Sequence, residues 1–306
     1  RIPDKIAGVI HGVMPAAGAP VAYRRIACGT ELFSPTDGIK AKVKGTRIAM
    51  ILGETNEMTT PVLATSAGAL ELLPNQSYQA PWLHVRVSKV SVPKQRASHG
   101  MRDAVTPIEG VSGDYLHLPS GKTSNPYDFY RDMDSWYRMI DPSLADPARK
   151  YRREPGGVEG VIEKAIATAE KFHTNLGDYY HPNTYAFYGD DADKLSFGQI
   201  RWIARQWSGA TVALTPANVS RARFLAYSGA GKRRVQIEGR DILEFEPEWQ
   251  DARGDGTVPH QSGSIASNKV KQIFASKGID HQYSFNDNDM LILTLRLIVK
   301  IVQEMS

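Results

Sequence analysis

An unbroken apolar run near the start of the chain, residues 6–13 (IAGVIHGV), limits the fold more than any other stretch. Its β-branched residues favour extended backbone. Apolar side chains at consecutive positions need cover on both faces of a sheet, which is the pattern of parallel strands. A Met-Pro pair and a turn rich in Gly, Ala and Pro end the run. The run therefore predicts a central, buried strand of a parallel sheet.

Two later stretches fit the same sheet. Residues 184–188 (TYAFY), closed by Gly189, resume the strand pattern and are predicted to neighbour residues 6–13. Residues 289–304 are apolar on nearly every side, which predicts a buried helix packed on the sheet. Residues 200–207 and 234–244 predict further strands, added antiparallel.

The stretches before residue 74 are less regular. Residues 46–52 fit a strand or a short helix. Residues 61–73 predict a short strand and then about two helical turns, which Pro74 ends.

The segment 74–183 differs in character, since it is rich in Pro, Gly and polar residues. Residues 158–176 predict one amphipathic helix, with Gly177 as its C-terminal cap. We interpret the segment as an insertion that covers the sheet. Its aromatic residues form either its own small core or part of an apolar substrate pocket. They are Trp82, Tyr115, Tyr127, Phe129, Tyr130, Trp136 and Tyr137.

Composition excludes several classes of protein. The formal net charge is only +4 over 306 residues, and positive and negative side chains are mixed along the chain. Both observations argue against a nucleic-acid partner. The only basic cluster, Lys40, Lys42, Lys44 and Arg47, is typical of a solvated face. Cys28 is the single cysteine, so no intrachain disulfide can form. No apolar run is long enough to span a membrane, and no signal peptide is recognisable.

A Gly-flanked acidic turn, Gly254-Asp255-Gly256-Thr257-Val258-Pro259, carries the strongest chemical signal, together with His281. Flanking glycines let other groups approach the carboxylate closely. The order of Asp255 and His281 matches the second half of the Ser…Asp…His order of α/β-hydrolases. The alternative is a polar turn with an unrelated histidine.

Several stretches resemble the second half of bacterial lipase-like α/β-hydrolases. The wider relatives are lecithin:cholesterol acyltransferase-like and glycosylphosphatidylinositol deacylase-like lipases, and the nearest resemblance is to type VI secretion lipase effectors. The matching stretches are residues 6–20 (IAGVIHGVMPAAGAP), 68–78 (GALELLPNQSY), 125–137 (NPYDFYRDMDSWY), 181–189 (HPNTYAFYG), 254–259 (GDGTVP) and 280–286 (DHQYSFN).

The resemblance implies an α/β-hydrolase fold: a mostly parallel sheet, helices on both faces and a large cap. Residues 1–73 and 184–306 would form the core and 74–183 the cap or lid. The chain has no G-x-S-x-G turn, so the nucleophilic serine is expected upstream of Arg1, along with the first strands of the sheet. The chain also starts at Arg1 without an initiator Met, which indicates a fragment or a processed product.

The implied function is carboxylic ester hydrolysis of the lipase or phospholipase type. His281 would be the general base and acid, and Asp255 would orient it. No cofactor or metal is expected. The expected partners are a lipid or other acyl ester, an upstream segment or second chain that carries the serine, transient contact with a membrane surface, and an immunity or secretion partner. Export by a contact-dependent secretion system is consistent with the resemblance. The open alternatives are an acyltransferase of the same fold and a catalytically incomplete chain with a binding role.

Other residues are weaker candidates. Ser66 lies in an A-x-S-x-G sequence and is either a nucleophile or a helix N-cap. His11, next to Gly12, fits an oxyanion-type turn or the end of a strand. His260 is expected to be a loop histidine near the site, and His173 lies near the end of the predicted amphipathic helix.

An acidic loop follows the strand at 184–188. Asp190, Asp191 and Asp193 could bind a cation, but a solvated turn is the favoured interpretation.

Overall fold

The computed structural model of the chain describes residues 5–31, 53–91, 108–120, 125–207, 210, 212–239 and 241–304. The fold is mixed α/β. Its strands are β1 Val9–Gly12, β2 Leu83–Ser91, β3 Ile108–Leu118, β4 Thr184–Gly189, β5 Asp191–Ser196, β6 Ile200–Trp207, β7 Arg223–Tyr227, β8 Arg233–Gln236, β9 Ile242–Pro247, β10 Ala252–Gly254 and β11 Gln272–Ser276.

Nine α-helices lie in these described ranges: α1 Val21–Cys28, α2 Asn56–Leu63, α3 Ala67–Leu70, α4 Pro126–Tyr130, α5 Pro142–Ala145, α6 Gly157–Leu176, α7 Pro216–Ser220, α8 His260–Gly263 and α9 Asn288–Gln303. The 3-10 turns Ser264–Ala266 and His281–Asn286 lie in the same described ranges.

A three-stranded parallel sheet has the order β1-β4-β11. The predicted parallel pairing of residues 6–13 with residues 184–188 is confirmed. The predicted central position is wrong, because β4 is the central strand and every residue of β1 is half-buried. In the described part of the chain, no strand pairs with the other edge of β1.

Helix α9 covers one face of this sheet. Leu297 and Ile301 pack with Tyr185 of β4, and Met290 packs near Phe187. The helix begins after Asp287, whose carboxylate caps it by accepting from two backbone amides. The predicted packing of this helix on the sheet is confirmed, but the prediction that it is buried is wrong, because α9 touches the sheet along one stripe only. Six of its large apolar side chains stay exposed, namely Leu291, Ile292, Leu295, Ile298, Val299 and Val302.

The predicted amphipathic helix is α6, and Gly177 ends it with a positive φ of 52°. Its buried stripe is Ile162, Ala165, Ile166 and Ala169. Phe172, which helical spacing places near this stripe, is 43% exposed. Tyr180, just after α6, packs edge-on against the His11 ring on the opposite face of β1 from α9.

A six-stranded sheet has the order β3-β2-β6-β9-β8-β7. Its strands come from both sides of the expected boundary at residues 183/184. The stretches 200–207 and 234–244 form strands as predicted, but they extend this second sheet and not the parallel one. β6 runs parallel to β2, and the other pairings in this sheet are antiparallel. Across the described residues the pairing is mixed, which corrects the expectation of a mostly parallel sheet.

The aromatic residues of segment 74–183 mostly join a core shared with this second sheet. The Trp136 ring stacks on Phe245 at a centroid distance of 4.3 Å, and its indole N–H donates to the Val219 carbonyl at 2.8 Å. Trp82 is buried against Tyr23 and Phe129. These contacts favour a structural core over a pocket lining.

The stretch 61–73 is helical where a short strand was predicted. Helix α2 runs through Pro61 to Leu63, and α3 follows. The hydroxyls of Thr59 and Thr60 donate to the carbonyls of Arg25 and Ile26 in α1, so tertiary contacts hold α2 in place. Residues 46–52 and the cluster Lys40, Lys42, Lys44 and Arg47 lie outside the described residues. Among the described helices, none has the length and hydropathy needed to cross a membrane.

Candidate active site

Asp255 lies at the carboxyl end of β4. In sequence the two are far apart, because strands β5 to β10 lie between β4 and Asp255. Strand β10 returns antiparallel to β5 and pairs Gly254 with Asp191, two residues beyond the end of β4. Gly189, the last residue of β4, has no Cβ, and one placed there would lie 2.6 Å from the Cβ of Asp255. The sheet end where α/β proteins place their ligands therefore carries a buried carboxylate.

Backbone amides hold the Asp255 carboxylate in its turn. Oδ1 accepts from the amides of Thr257 at 2.9 Å and Val258 at 2.7 Å. The hydroxyl of Ser196 donates to the Val258 carbonyl at 3.1 Å, which fixes the far side of the turn. Asp255 is only 1% exposed. One carboxylate oxygen is thus fully used by the turn, and Oδ2 is left for another donor.

His281 is that donor. Its Nδ1 lies 3.0 Å from Oδ2 of Asp255, and its backbone amide donates to the Asp255 carbonyl, also at 3.0 Å. The predicted hydrogen-bond contact between the two residues is confirmed. Two parallel bonds fix both the backbone and the ring of His281 against the acidic turn.

The loop that carries His281 reaches across the sheet. It leaves β11 and passes over the end of β4, where Phe285 packs edge-on against Phe187. A Cβ at Gly12, the last residue of β1, would lie 2.4 Å from the Phe285 ring. The glycine therefore lets Phe285 of this loop reach the carboxyl end of β1.

This pairing settles which nitrogen can act as a base. A carboxylate beside Nδ1 selects the tautomer with the proton on Nδ1, assigned here from the hydrogen-bond network, and leaves Nε2 with a free lone pair. The His281 side chain is 27% exposed, and no described side chain bonds to Nε2. The neighbouring Ser284 donates instead to the His281 carbonyl at 3.2 Å. The arrangement can accept a proton from a group that approaches Nε2 from outside.

The other sequence candidates lie elsewhere. Ser66 is the N-cap of α3, where its hydroxyl accepts from the Ala69 amide at 3.4 Å. His11 is within β1, and burial lowers its pKa. His260 contacts the Arg253 carbonyl at 3.2 Å. None of the three bonds to Asp255 or His281 in the described part of the chain.

The remaining candidates have structural partners. His173 pairs with the Tyr127 hydroxyl, and burial lowers the pKa of its imidazole. Asp191 and Asp193 lie in strand β5 and not in the expected loop. Asp191 accepts from the amides of Asp193 at 2.8 Å and Gly278 at 2.6 Å, which ties the start of β5 to the loop after β11. Asp190 pairs with Arg253. Among the described residues, no cluster of three or more His, Cys, Asp or Glu side chains could hold a metal ion.

A groove of about 550 Å³ lies beside the C-terminal end of α6. Segment 74–183 contributes part of its lining, including Phe172 and Leu176, and His11 and Met14 lie on the β1 side. Neither Asp255 nor His281 lines it.

A solved structure, the crystal structure of the Tle4-Tli4 complex, is similar in fold. The TM-score is 0.64 and the sequence identity is 24%. The similarity covers 98% of this chain and 55% of that chain, so the present sequence spans about half the length of its structural relative. No family model and no curated protein matches the sequence. The similarity supports the mixed α/β fold and carries no residue roles.

The sequence did not identify the residues that support the dyad of Asp255 and His281. Gly189 and Gly12 allow the close approaches, and Ser196 braces the acidic turn. Each glycine ends a β-strand, and a glycine at such a position is the one signal that could have indicated a close approach. The sequence around Ser196 gave no indication of its role. Its contact with Val258 forms only when β10 pairs with β5.

Proposed function

We propose that this chain supplies the acid and base of a serine ester hydrolase of the lipase or phospholipase type. The nucleophilic serine would come from a segment outside residues 1–306. The observation that supports the proposal is the dyad of buried Asp255 and partly exposed His281, in which Oδ2 lies 3.0 Å from Nδ1. Nε2 of His281 is not bonded to any described residue. The resemblance of residues 254–259 and 280–286 to the acid and base loops of lipases agrees with it.

In the proposed reaction, Nε2 of His281 takes the proton of the serine hydroxyl as its oxygen attacks the ester carbonyl. The protonated imidazole then gives this proton to the leaving alcohol, and the acyl group stays on the serine. Water, deprotonated in the same way, attacks the acyl-enzyme and releases the carboxylic acid. An alcohol in place of that water would make the same site an acyltransferase.

Asp255 contributes by orientation and charge. Its Oδ2 holds the Nδ1 proton, so Nε2 stays available as the base, and its negative charge stabilises the imidazolium that forms during attack. The two backbone donors on Oδ1 keep the carboxylate from rotating away. Burial strengthens the interaction, since little water screens it.

The substrate and partners belong to the same proposal. The resemblance to lipases favours a carboxylic ester of a lipid as the substrate. The segment that carries the serine would hold part of the acyl chain. Since the similar solved structure is a complex of Tle4 with Tli4, an inhibitory partner protein and export by a contact-dependent secretion system are also proposed.

A second candidate function rests on a specific observation. No serine, threonine or cysteine side chain among the described residues bonds to Nε2 of His281, so the chain could act as a catalytically incomplete binding protein. Labelling separates the two candidates. If the chain is joined to a segment that carries the nucleophilic serine, that serine reacts covalently with a fluorophosphonate. A binding protein without such a serine does not react.

The direct test uses the protein joined to the polypeptide encoded immediately upstream of Arg1 and a chromogenic short-chain ester. His281→Ala should lower kcat about 10⁴-fold or more while the fold is retained, because the base is lost. His260→Ala is the matched control, since His260 lies near the same turn and its ring contacts the Arg253 carbonyl, not Asp255 or His281, among the described residues. Unchanged turnover by the His281 variant would contradict the proposal.

A further inference from the structure

Two histidines face each other across strands β2 and β3 of the second sheet. His84 of β2 is the direct register partner of His117 of β3, and their Nδ1 atoms lie 2.8 Å apart. The two rings cross at 77°, with their centroids 5.0 Å apart. Leu83 and Val85, on either side of His84, are buried in the core. Because side chains alternate along a strand, the two imidazoles lie on the solvent side of the sheet.

The Nδ1 atoms are the nitrogens that a ligand from solvent can use together. One of them donates its proton to the other in the free pair, because a contact between two ring nitrogens needs a proton on one only. Nε2 of His84 is buried and makes no hydrogen bond to a described residue. His84 can therefore bind an external ligand through Nδ1 alone, and His117 already places its own Nδ1 at the same point.

Backbone hydrogen bonds hold His84 in place from both sides. The Trp82 amide donates to the Leu118 carbonyl on β3 at 2.9 Å, and the Ile200 amide at the start of β6 donates to the Trp82 carbonyl at 2.7 Å. Side chains on paired strands keep their separation better than side chains on loops. The spacing of the two Nδ1 atoms is therefore set by the sheet.

The charged neighbours of the histidine pair are compensated. Arg86, on the same face of β2, binds the Asp114 carboxylate through two hydrogen bonds at 2.7 and 3.2 Å. Arg201, the residue of β6 aligned with His84, pairs with Glu248 and, at 2.9 Å, with Asp251. A cation held by the two imidazoles would thus meet two arginines whose charges are already balanced by carboxylates.

The separation of the Nδ1 atoms fits two neighbouring ligands on one metal ion. With metal–nitrogen distances of about 2.0–2.1 Å, nitrogens 2.8 Å apart form an angle of about 84–89° at the metal. Neighbouring ligands in square-planar and octahedral complexes form this angle, whereas tetrahedral zinc would need nitrogens about 3.3–3.4 Å apart. Imidazole ligands in a tetragonal arrangement are typical of Cu²⁺ and Ni²⁺.

We propose that His84 and His117 bind one divalent transition-metal ion of tetragonal geometry, Cu²⁺ or Ni²⁺, through their two Nδ1 atoms. The ion takes the place of the shared proton, which moves through solvent to Nε2 of the ring that carried it, so both imidazoles bind as neutral ligands. A rotation of the exposed His117 ring turns both lone pairs towards the ion. Among the described residues no third His, Cys, Asp or Glu joins the pair, so water fills the remaining positions.

The site does not depend on the proposed hydrolase, because it lies on the second sheet and shares no residue with the dyad of Asp255 and His281. It can therefore be tested on the chain as it stands. Its consequence for the fold is a metal link between the start of β2 and the end of β3, which should stabilise this strand pair when the ion is bound.

The test titrates untagged Arg1–Ser306 with Cu²⁺, and separately with Ni²⁺, in a calorimeter and a weakly coordinating buffer. We expect saturable binding of one ion per chain at this site. His117→Ala should weaken it at least about tenfold, since loss of a supporting residue alone costs about 10–100-fold in metal affinity and loss of a ligand costs no less. His260→Ala is the matched control, because its ring contacts the Arg253 carbonyl and pairs with no described histidine.

Two spectroscopic measurements locate the ion. The electron paramagnetic resonance spectrum of the Cu²⁺ complex should be tetragonal and should show coupling to imidazole nitrogen. In NMR, the paramagnetic ion should broaden the amide signals of residues 83–86 and 116–118 at the lowest Cu²⁺ concentrations. Circular dichroism of His117→Ala should match the unsubstituted chain, since the side chain is exposed, and this separates lost binding from lost folding.

Zn²⁺ serves as the comparison ion. Its tetrahedral preference would require the two nitrogens to move apart, so we expect Zn²⁺ to bind more weakly than Ni²⁺. Tighter binding of Zn²⁺ than of Ni²⁺ would overturn the tetragonal geometry. Equal affinity of His117→Ala and the unsubstituted chain, or broadening confined to signals outside β2 and β3, would overturn the site. So would association that never saturates, which is the behaviour of an adventitious ion only.

Discussion

A Cβ at position 189 would lie 2.6 Å from the Cβ of Asp255 and 2.8 Å from the Gly254 carbonyl oxygen. The end of β4 and the acidic turn are therefore packed backbone against backbone. The distance between the Asp255 carboxylate and the His281 ring depends on this contact, since the same turn accepts the His281 amide.

Gly189→Ala tests this packing. The added methyl group forces the acidic turn away from β4, so we expect a loss of about 1–3 kcal/mol in the free energy of unfolding. Chemical denaturation measures it. Gly68→Ala is the control, because a Cβ there meets no atom within 4 Å; an alanine at this helical position should be neutral or stabilising by less than about 1 kcal/mol. Equal stability of the two variants would contradict the close contact.

Asp255→Asn tests the tautomer of His281 without an activity assay. The amide oxygen can keep the two backbone donors on its own side, so its NH₂ group would face Nδ1 of His281. That nitrogen must then accept, and the proton moves to Nε2. Nitrogen chemical shifts of the imidazole in NMR should show Nδ1–H in the wild type and Nε2–H in the variant. Asp178→Asn, at an exposed residue paired with Lys269, should leave them unchanged.

Arg233 is the most demanding buried group in the second sheet. It is 1% exposed, and its guanidinium donates to the carbonyls of Trp136 at 2.6 Å, Arg138 at 2.9 Å and Ala27 at 3.0 Å. Lysine cannot reproduce this planar set of donors. Arg233→Lys should lower the free energy of unfolding by about 2–5 kcal/mol.

Thermal or chemical denaturation of Arg234→Lys provides the matched control for Arg233. Arg234 is the next residue, but its side chain is 58% exposed and pairs with Glu244 on the surface. We expect a change within about 0.5 kcal/mol. A similar loss in both variants would mean that the buried carbonyl contacts contribute little.

Stability should fall on mild acidification. Burial lowers the pKa of His11, His84 and His173 below 6.5, and His117 adds to the effect at His84. Between these lowered pKa values and 6.5 the unfolded state binds more protons, so the free energy of unfolding decreases as pH drops below 6.5. Denaturant titrations on either side of that pH measure the decrease.

His173→Gln should reduce this pH dependence, since one of the three titrating groups is removed. Carboxylates whose pKa is lowered, such as Asp141 and Glu170, lose their contribution only below their ordinary values of 3.8 and 4.5. A profile that is flat between neutral pH and about pH 5 would contradict the assignment to histidines.

The sequence predicted elements whose signal is local. The amphipathic spacing and Gly177 defined α6 almost to the residue, and the β-branched run defined β1. Residues 61–73 were misassigned because Thr59 and Thr60 bond to α1, a contact that no local pattern carries. The extent of burial was also misjudged, because an apolar helix such as α9 does not indicate how many of its sides are covered.

For the candidate site, the residue types are visible in the sequence: an aspartate in a Gly-flanked turn, a histidine after it, and no G-x-S-x-G turn to complete them. The contact between these two side chains follows from the three-dimensional fold, because β10 must fold back onto β5 before Asp255 reaches the end of β4. The open edge of β1 was likewise a matter of tertiary structure, since a strand's neighbours depend on long-range pairing that its own residues do not encode.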